Sequence, residues 1–223
     1  MDVYLIRHGQ SEGNLAQPGA PHDPPLTGIG HAQAARVAEW LSERPIVAVY
    51  ASPMTRALET GSPLAAKLRL PVQVWPCLAE TARMQWNDPG NDSRHAAKCG
   101  LTAAEVNARF PGAVFEPGVA ADRAWWEEQA GEGRVGAYAR AAAAWAALER
   151  HHPAPDEAIA VITHGAFGSV LMSTALGAPP TDYNRYSQHN CGISLIRRAE
   201  GEIRARFVNA FGHLPVDLRT DLT

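Results

Sequence analysis

The period of the apolar residues changes several times along this chain. Val3-Tyr4-Leu5-Ile6 is a short run of β-formers, and it stops at Arg7-His8-Gly9. Further on, Ala34, Val37, Ala38 and Leu41 recur at the three-and-four spacing of one helical face. Thr27 stands where such a helix takes its N-cap, and Glu43-Arg44-Pro45 is where it should end. Ile46 to Tyr50 reads as a second strand, closing on Ala51-Ser52-Pro53. Pro53 suits the first position of a second helix, which would carry Arg56, Ala57, Thr60, Leu64 and Leu68. Val72 to Trp75 is a third strand, running out at Leu78-Ala79-Glu80.

Strand, helix, strand, helix, strand is the order of right-handed βαβ units and a largely parallel sheet. After Glu80 the alternation breaks. Thr81 to about Gly131 contains Asn87-Asp88-Pro89-Gly90-Asn91-Asp92, a short helical piece from Thr102 to Phe110, and Trp125-Trp126. We read residues 81–131 as a helical and loop insertion covering the site. Glu132 to Arg150 is an alanine-rich helix, stopped by His151-His152-Pro153, which reads as a solvated helix end. Ala158 to Ile162 is a strand ending at Thr163-His164-Gly165. A helix should then run to about Leu176, with Gly177 as its C-cap. Gly192 to Arg197 and Ile203 to Val208 form a last strand pair. The expected fold class is α/β: a three-layer α/β/α sandwich with a mostly parallel central sheet. The expected organisation is one domain over 1–223 with that insertion.

Composition narrows the partners. A chain of 223 residues fits one large domain, and 46% hydrophobic with 19% charged residues is ordinary for a soluble globular protein. A net charge of −3 gives no reason to expect nucleic acid. Cys77, Cys99 and Cys191 are widely spaced and odd in number, which favours reduced thiols over a disulfide framework. No window approaches the roughly 20 apolar residues of a membrane span. The N-terminal residues lack a basic segment followed by an apolar one, so a cytoplasmic location is expected.

The candidate chemistry follows from the topology. In parallel sheets, ligands sit outside the carboxyl ends of the strands. Arg7, His8, Ser52, Glu80 and His164 all fall at such ends, and Arg56 opens the helix after one. Two imidazoles, two guanidiniums and a carboxylate at one edge suit a phosphate. The arginines offer a planar fork of donors to its oxygens. Gly9 lets the backbone turn and approach a ligand closely, and Asn14 can add a donor from the loop.

Taken together, the spaced motifs identify a family. They are Arg7-His8-Gly9, Asn14, Leu26-Thr27-x-x-Gly30-x-x-Gln33-Ala34, Ser52-Pro53-x-x-Arg56-Ala57-x-x-Thr60, Glu80 and His164-Gly165. Asn190-Cys191 and Asn209-x-x-x-His213-Leu214 look like later motifs of the same set. The chain resembles the histidine phosphatase superfamily, also called phosphoglycerate-mutase-like, over about 1–80 and 157–214. The resemblance implies a phosphatase in which His8 takes up the phosphoryl group and Arg7, Arg56 and His164 hold its oxygens. It implies that Glu80 passes protons to the leaving group and from water, with Glu105 or Glu116 as alternative acids. Asn14, Gly165 and Arg83 are the expected substrate contacts, with Trp86 beside Arg83. No metal and no cofactor is expected. The expected partner is a small phosphorylated substrate, with neither nucleic acid nor membrane, and a homodimer stays open. The phosphoglycerate mutases of this family carry an Arg-His-Tyr-Gly segment and paired arginines after the proton-donor glutamate. This chain has Thr81-Ala82-Arg83-Met84-Gln85-Trp86 there, which favours hydrolysis over mutase exchange. A mutase, or a non-catalytic phosphate-binding protein on the same fold, is the alternative.

Overall fold

The computed structural model describes residues 1–15, 23–81, 100–116, 119, 122, 125–129 and 132–220. Seven strands form one sheet: β1 (Asp2–Arg7), β2 (Ile46–Ala51), β3 (Val72–Val74), β4 (Ala113–Phe115), β5 (Ala158–Thr163), β6 (Ile193–Ala199) and β7 (Glu202–Ala210). Their order is β4-β3-β2-β5-β1-β6-β7. Neighbours from β4 through β1 pair in parallel, while β6 pairs antiparallel with both β1 and β7. The α-helices among the described residues are α1 (Gly28–Ser42), α2 (Thr55–Leu68), α3 (Ala103–Arg109), α4 (Arg134–His151) and α5 (Gly165–Ala175).

The period-two alternation of β1 splits the core in two. Tyr4 and Ile6 face one side, where they pack with Val37 and Leu41 of α1 and Leu58 and Leu64 of α2. Val3 and Leu5 face the other, with Ala141 and Leu148 of α4 and Phe167 and Leu171 of α5. Helices therefore cover both faces of the sheet, which is the expected sandwich. Because both faces are covered, its central strands read as continuous apolar runs. No helix among the described residues is long and apolar enough to cross a membrane.

Several local expectations change. Thr27 does cap α1, its hydroxyl accepting from Gly30 N at 3.1 Å. Pro53 does not open α2: the helix starts at Thr55 with Met54 at the N-cap, so the proline stands just outside it. The stretch read as helical and loop insertion contributes β4 to the sheet edge, parallel to β3. With three residues after the turn at Gly112, β4 is too short to show a period. Gly177 follows α5 in the left-handed conformation at φ 68°, one residue past the cap at Leu176.

His152 is not solvated. It is 8% exposed, its Nε2 lies 2.8 Å from the Tyr50 hydroxyl, and its Nδ1 lies 3.0 Å from Glu157. The sequence showed a helix stop but not the tyrosine and glutamate that fold against it. Gly9 also packs closely on the start of α1: a Cβ there would lie 2.7 Å from Gly30 O.

Candidate active site

β1 and β5 run side by side with Arg7 opposite Thr163, so His8 and His164 emerge from neighbouring strands at the same edge. His8 N donates to Thr163 O at 2.9 Å, and the two imidazole centroids are 5.2 Å apart. Both rings are buried, at 4% and 0% exposure.

The His8 tautomer follows from its partners. Nδ1 lies 2.7 Å from Gly9 O, and a carbonyl only accepts, so Nδ1 carries the proton. Nε2 is left with its lone pair, and Arg56 Nε donates to it at 3.2 Å. Burial, then Arg56 and Arg7, hold the His8 pKa well below the usual imidazole value. His164 is lowered the same way, by burial first and then by Arg56, His8, Arg7 and Arg140. Two neutral rings therefore stand beside two guanidiniums.

The arginines are braced from behind. Arg7 Nη1 donates to Gln188 O at 2.8 Å. Asp23 accepts from Thr55 N with both carboxylate oxygens, at 3.0 and 3.1 Å, and from Thr55 Oγ1 at 2.7 Å. One of those oxygens also lies 3.8 Å from Arg56 Nη1. Asp23 thus holds the first turn of α2 and the guanidinium that this turn presents. Burial raises the Asp23 pKa, against the hydrogen bonds from Thr55 and the charge of Arg56.

Glu80 reaches the N-terminus of α5, where helix N–H groups lack partners. Its Oε1 accepts from Phe167 N at 2.8 Å and Thr81 N at 2.8 Å, and its Oε2 from Ala166 N at 3.3 Å. It is close enough to Arg56 for its charge to act there. Of the alternative acids, Glu105 closes a capping box on α3 with Thr102. Glu116 lines a cavity with Cys77 and Arg140. Asn14 Oδ1 accepts from Ser11 N at 3.0 Å, Ser11 Oγ at 3.1 Å and Asn190 Nδ2 at 3.2 Å, so its carbonyl braces the loop. Gly165 opens α5, and a Cβ built there would lie 3.5 Å from Arg7 Nε. Arg83 and Trp86 lie outside the described residues.

Sequence reading named Gln33, Thr60, Asn190 and Cys191 as motif residues but not their role as polar struts. Asn190 Nδ2 donates to His8 O at 3.2 Å, and Cys191 N donates to Arg7 O at 3.1 Å from a left-handed backbone at φ 56°. Gly9 N donates to Thr60 Oγ1, and Gln10 N to Gln33 Oε1. One signal to that role was available: Gln33 is the polar residue in the otherwise apolar buried face of α1. Among the described residues, no group of three or more His, Cys, Asp or Glu is arranged to hold a metal.

The model of the histidine phosphatase superfamily, branch 1, matches residues 3–210. The chain belongs to this family. The glucosyl-3-phosphoglycerate phosphatase of Mycobacterium tuberculosis is 28% identical to this histidine phosphatase over 188 residues, 81% of this chain and 78% of that one. The "Probable phosphoglycerate mutase GpmB" of Proteus mirabilis is 28% identical over 202 residues, 88% of this chain and 84% of that one. Among solved structures, a mycobacterial glucosyl-3-phosphoglycerate phosphatase complexed with VO3 superimposes with a TM-score of 0.68 at 25% identity. That match covers 94% of this chain and 99% of the other.

Proposed function

We propose that this chain is a phosphomonoester phosphatase that passes the phosphoryl group of a small ester through His8 to water. The supporting observation is the His8 tautomer: the Gly9 carbonyl takes the Nδ1 proton and leaves Nε2 as the nucleophilic nitrogen. In the first step a bond forms from Nε2 to phosphorus and the ester P–O bond breaks. Arg56 Nε, which donates to Nε2 in the free site, moves its donation to a phosphoryl oxygen, joined by Arg7 and His164. Their donors are fixed before charge spreads over those oxygens, which is where such donors are most effective. With Oε1 of Glu80 taking two backbone N–H bonds, its Oε2 carries the proton to the leaving alkoxide. In the second step water attacks phosphorus, Glu80 takes its proton, and the P–N bond breaks. Inorganic phosphate leaves and the site returns to its first state.

The substrate class is a small phosphorylated metabolite. The names of the relatives point toward esters of the phosphoglycerate type. The missing Arg-His-Tyr-Gly and paired-arginine segments support hydrolysis over exchange. The test is a rapid-quench assay with a labelled aryl phosphate, followed by alkaline isolation of the protein. An acid-labile, base-stable label that turns over to inorganic phosphate is expected. Unlabelled protein, or efficient isomerisation of 3-phosphoglycerate with catalytic bisphosphoglycerate, would overturn the reading.

A further inference from the structure

His164 is contacted from behind by a serine. Ser52 Oγ and His164 Nε2 are 2.8 Å apart, and Met54 N donates to the same Oγ at 3.3 Å. Ser52 and His164 are both 0% exposed, so bulk solvent reaches neither group. His164 Nδ1 is buried and has no hydrogen-bond partner among the described residues.

Counting protons decides between the two tautomers. If Nε2 carried the hydrogen, it would donate to Ser52 Oγ. The serine proton would then have no acceptor among the contacts described, and Nδ1 would be a buried lone pair without a donor. Two buried groups would be unsatisfied. If Ser52 donates to Nε2, its oxygen still accepts from Met54 N and only the Nδ1–H remains without a partner. An unsatisfied buried polar group costs about 1–3 kcal/mol, so the second arrangement is favoured. The remaining Nδ1–H is what a phosphoryl oxygen would complete.

We propose that Ser52 is a positioning residue that holds His164 in its Nδ1–H tautomer, making Nδ1 the phosphoryl-oxygen donor. The two histidines of the site would share a tautomer and use opposite nitrogens: His8 gives its Nδ1 proton to Gly9 O and works through Nε2, whereas His164 is held at Nε2 and works through Nδ1. The role of Nδ1 rests on the phosphatase reading. The tautomer does not, because it is a property of the free protein.

Two-bond proton–nitrogen correlation on histidine-labelled protein reads the tautomer directly. The His164 signals are assigned by their loss in His164→Asn. In wild type, Nδ1 should be protonated and Nε2 not, and the Nδ1 proton should shift when vanadate is added. Ser52→Ala should mix the tautomers or reverse them. It should lower kcat about tenfold to a hundredfold, the usual scale for removing a partner that orients an imidazole. Ser173→Ala, another fully buried serine on α5, should change neither. An Nε2–H tautomer in wild type would overturn the proposal, whether or not Ser52→Ala folds. So would a Ser52→Ala enzyme that loses activity with the His164 tautomer unchanged. If the wild-type tautomer is as stated but no ester is hydrolysed, the phosphatase reading fails and the serine's effect on the ring stands.

Discussion

Two parts of the same sheet edge are built differently. Around His8, the side chains are tied to fixed backbone: Gly9 O on the imidazole, Asp23 on the first turn of α2, α5 N–H groups on Glu80. Past Glu80, the described residues supply a three-residue strand, a tryptophan pair and a cavity of about 330 Å³. Cys77, Glu116, Trp125, Gln129, Glu132 and Arg140 line that cavity, and Gln129 Oε1 has no hydrogen-bond partner. The first part is held by side-chain-to-backbone hydrogen bonds, and the second encloses space beside a buried acceptor. If the chemistry shared by many esters rests on the first part, discrimination among leaving groups would fall to the second. The two meet at Met54 and Ala79, on which Trp125 and Trp126 pack.

The largest effect expected is in the first part. His8→Ala should abolish the phosphoenzyme and lower kcat by about 10⁴-fold or more, as loss of a nucleophile does. Unchanged circular dichroism alongside would show that the fold survives. Near-wild-type turnover would end the covalent mechanism. Next is Arg56→Ala, which removes a phosphoryl donor and should cost about 10²–10³ in kcat. Asp23→Ala removes no group that touches the substrate, yet Arg56 and the α2 N-terminus lose their carboxylate. A smaller loss, of about tenfold, should appear with a stability loss of about 1 kcal/mol for the missing cap. Measuring kcat and chemical denaturation on both variants ranks the guanidinium against its brace. An Asp23→Ala enzyme as damaged as Arg56→Ala would mean that the brace, and not the donor alone, makes the pocket.

The same division explains what could be read from sequence. Arg7, His8, Ser52 and His164 stand at or just past the ends of β1, β2 and β5, and parallel topology brings strand ends together whatever the details of packing. The sandwich was legible for the same reason. Glu80, read as a strand end, lies instead beyond a 3-10 turn (Pro76–Leu78) that follows β3. Asp23 was not legible, because it lies within a proline-rich stretch with no period, and its partner Thr55 is distant in sequence. His152 looked solvated, because its contacts with Tyr50 and Glu157 exist only once the helix has packed. The strand β4 gave no pattern in three residues. Arg83, a candidate contact, lies outside the described residues.

The buried imidazoles should also set the response to acid. His8, His164 and His213 all have folded pKa values below the usual 6.5, and that of His213 falls to about 4. Desolvation leads in each case. The sign follows: the unfolded chain binds the proton more readily, so these groups favour the folded state fully above pH 6.5. Their contribution is lost as pH falls below 6.5 toward the folded values. Thermal unfolding followed from pH 8 to pH 4 should show a flat midpoint above 6.5 and a progressive fall below. His213→Gln cannot titrate there, so its fall should be shallower. A midpoint rising as pH drops from 6.5 would contradict the burial of neutral rings.

The smallest effect expected is at Gln129. Its Nε2 donates to Pro76 O at 2.8 Å, while its Oε1 is a buried acceptor without a donor. Gln129→Met keeps the length and removes both polar atoms. One hydrogen bond is lost and one unsatisfied acceptor disappears, so the two changes offset and stability should move by less than about 1 kcal/mol. The first part is untouched, so kcat on an activated aryl phosphate should stay within about twofold of wild type, since an unperturbed transition state predicts no rate change. If residues past Glu80 contact the leaving group, kcat/KM ratios across a panel of alkyl phosphates should shift while the aryl rate holds. A uniform loss on every ester would mean that the cavity supports the phosphoryl pocket after all. Arg140 gives such a loss a physical route. It lines the cavity, donates to Ala79 O at 2.8 Å one residue before Glu80, and stacks its guanidinium 4.0 Å over the ring of Phe167. The aryl-to-alkyl comparison therefore separates a selective insertion from a structural one.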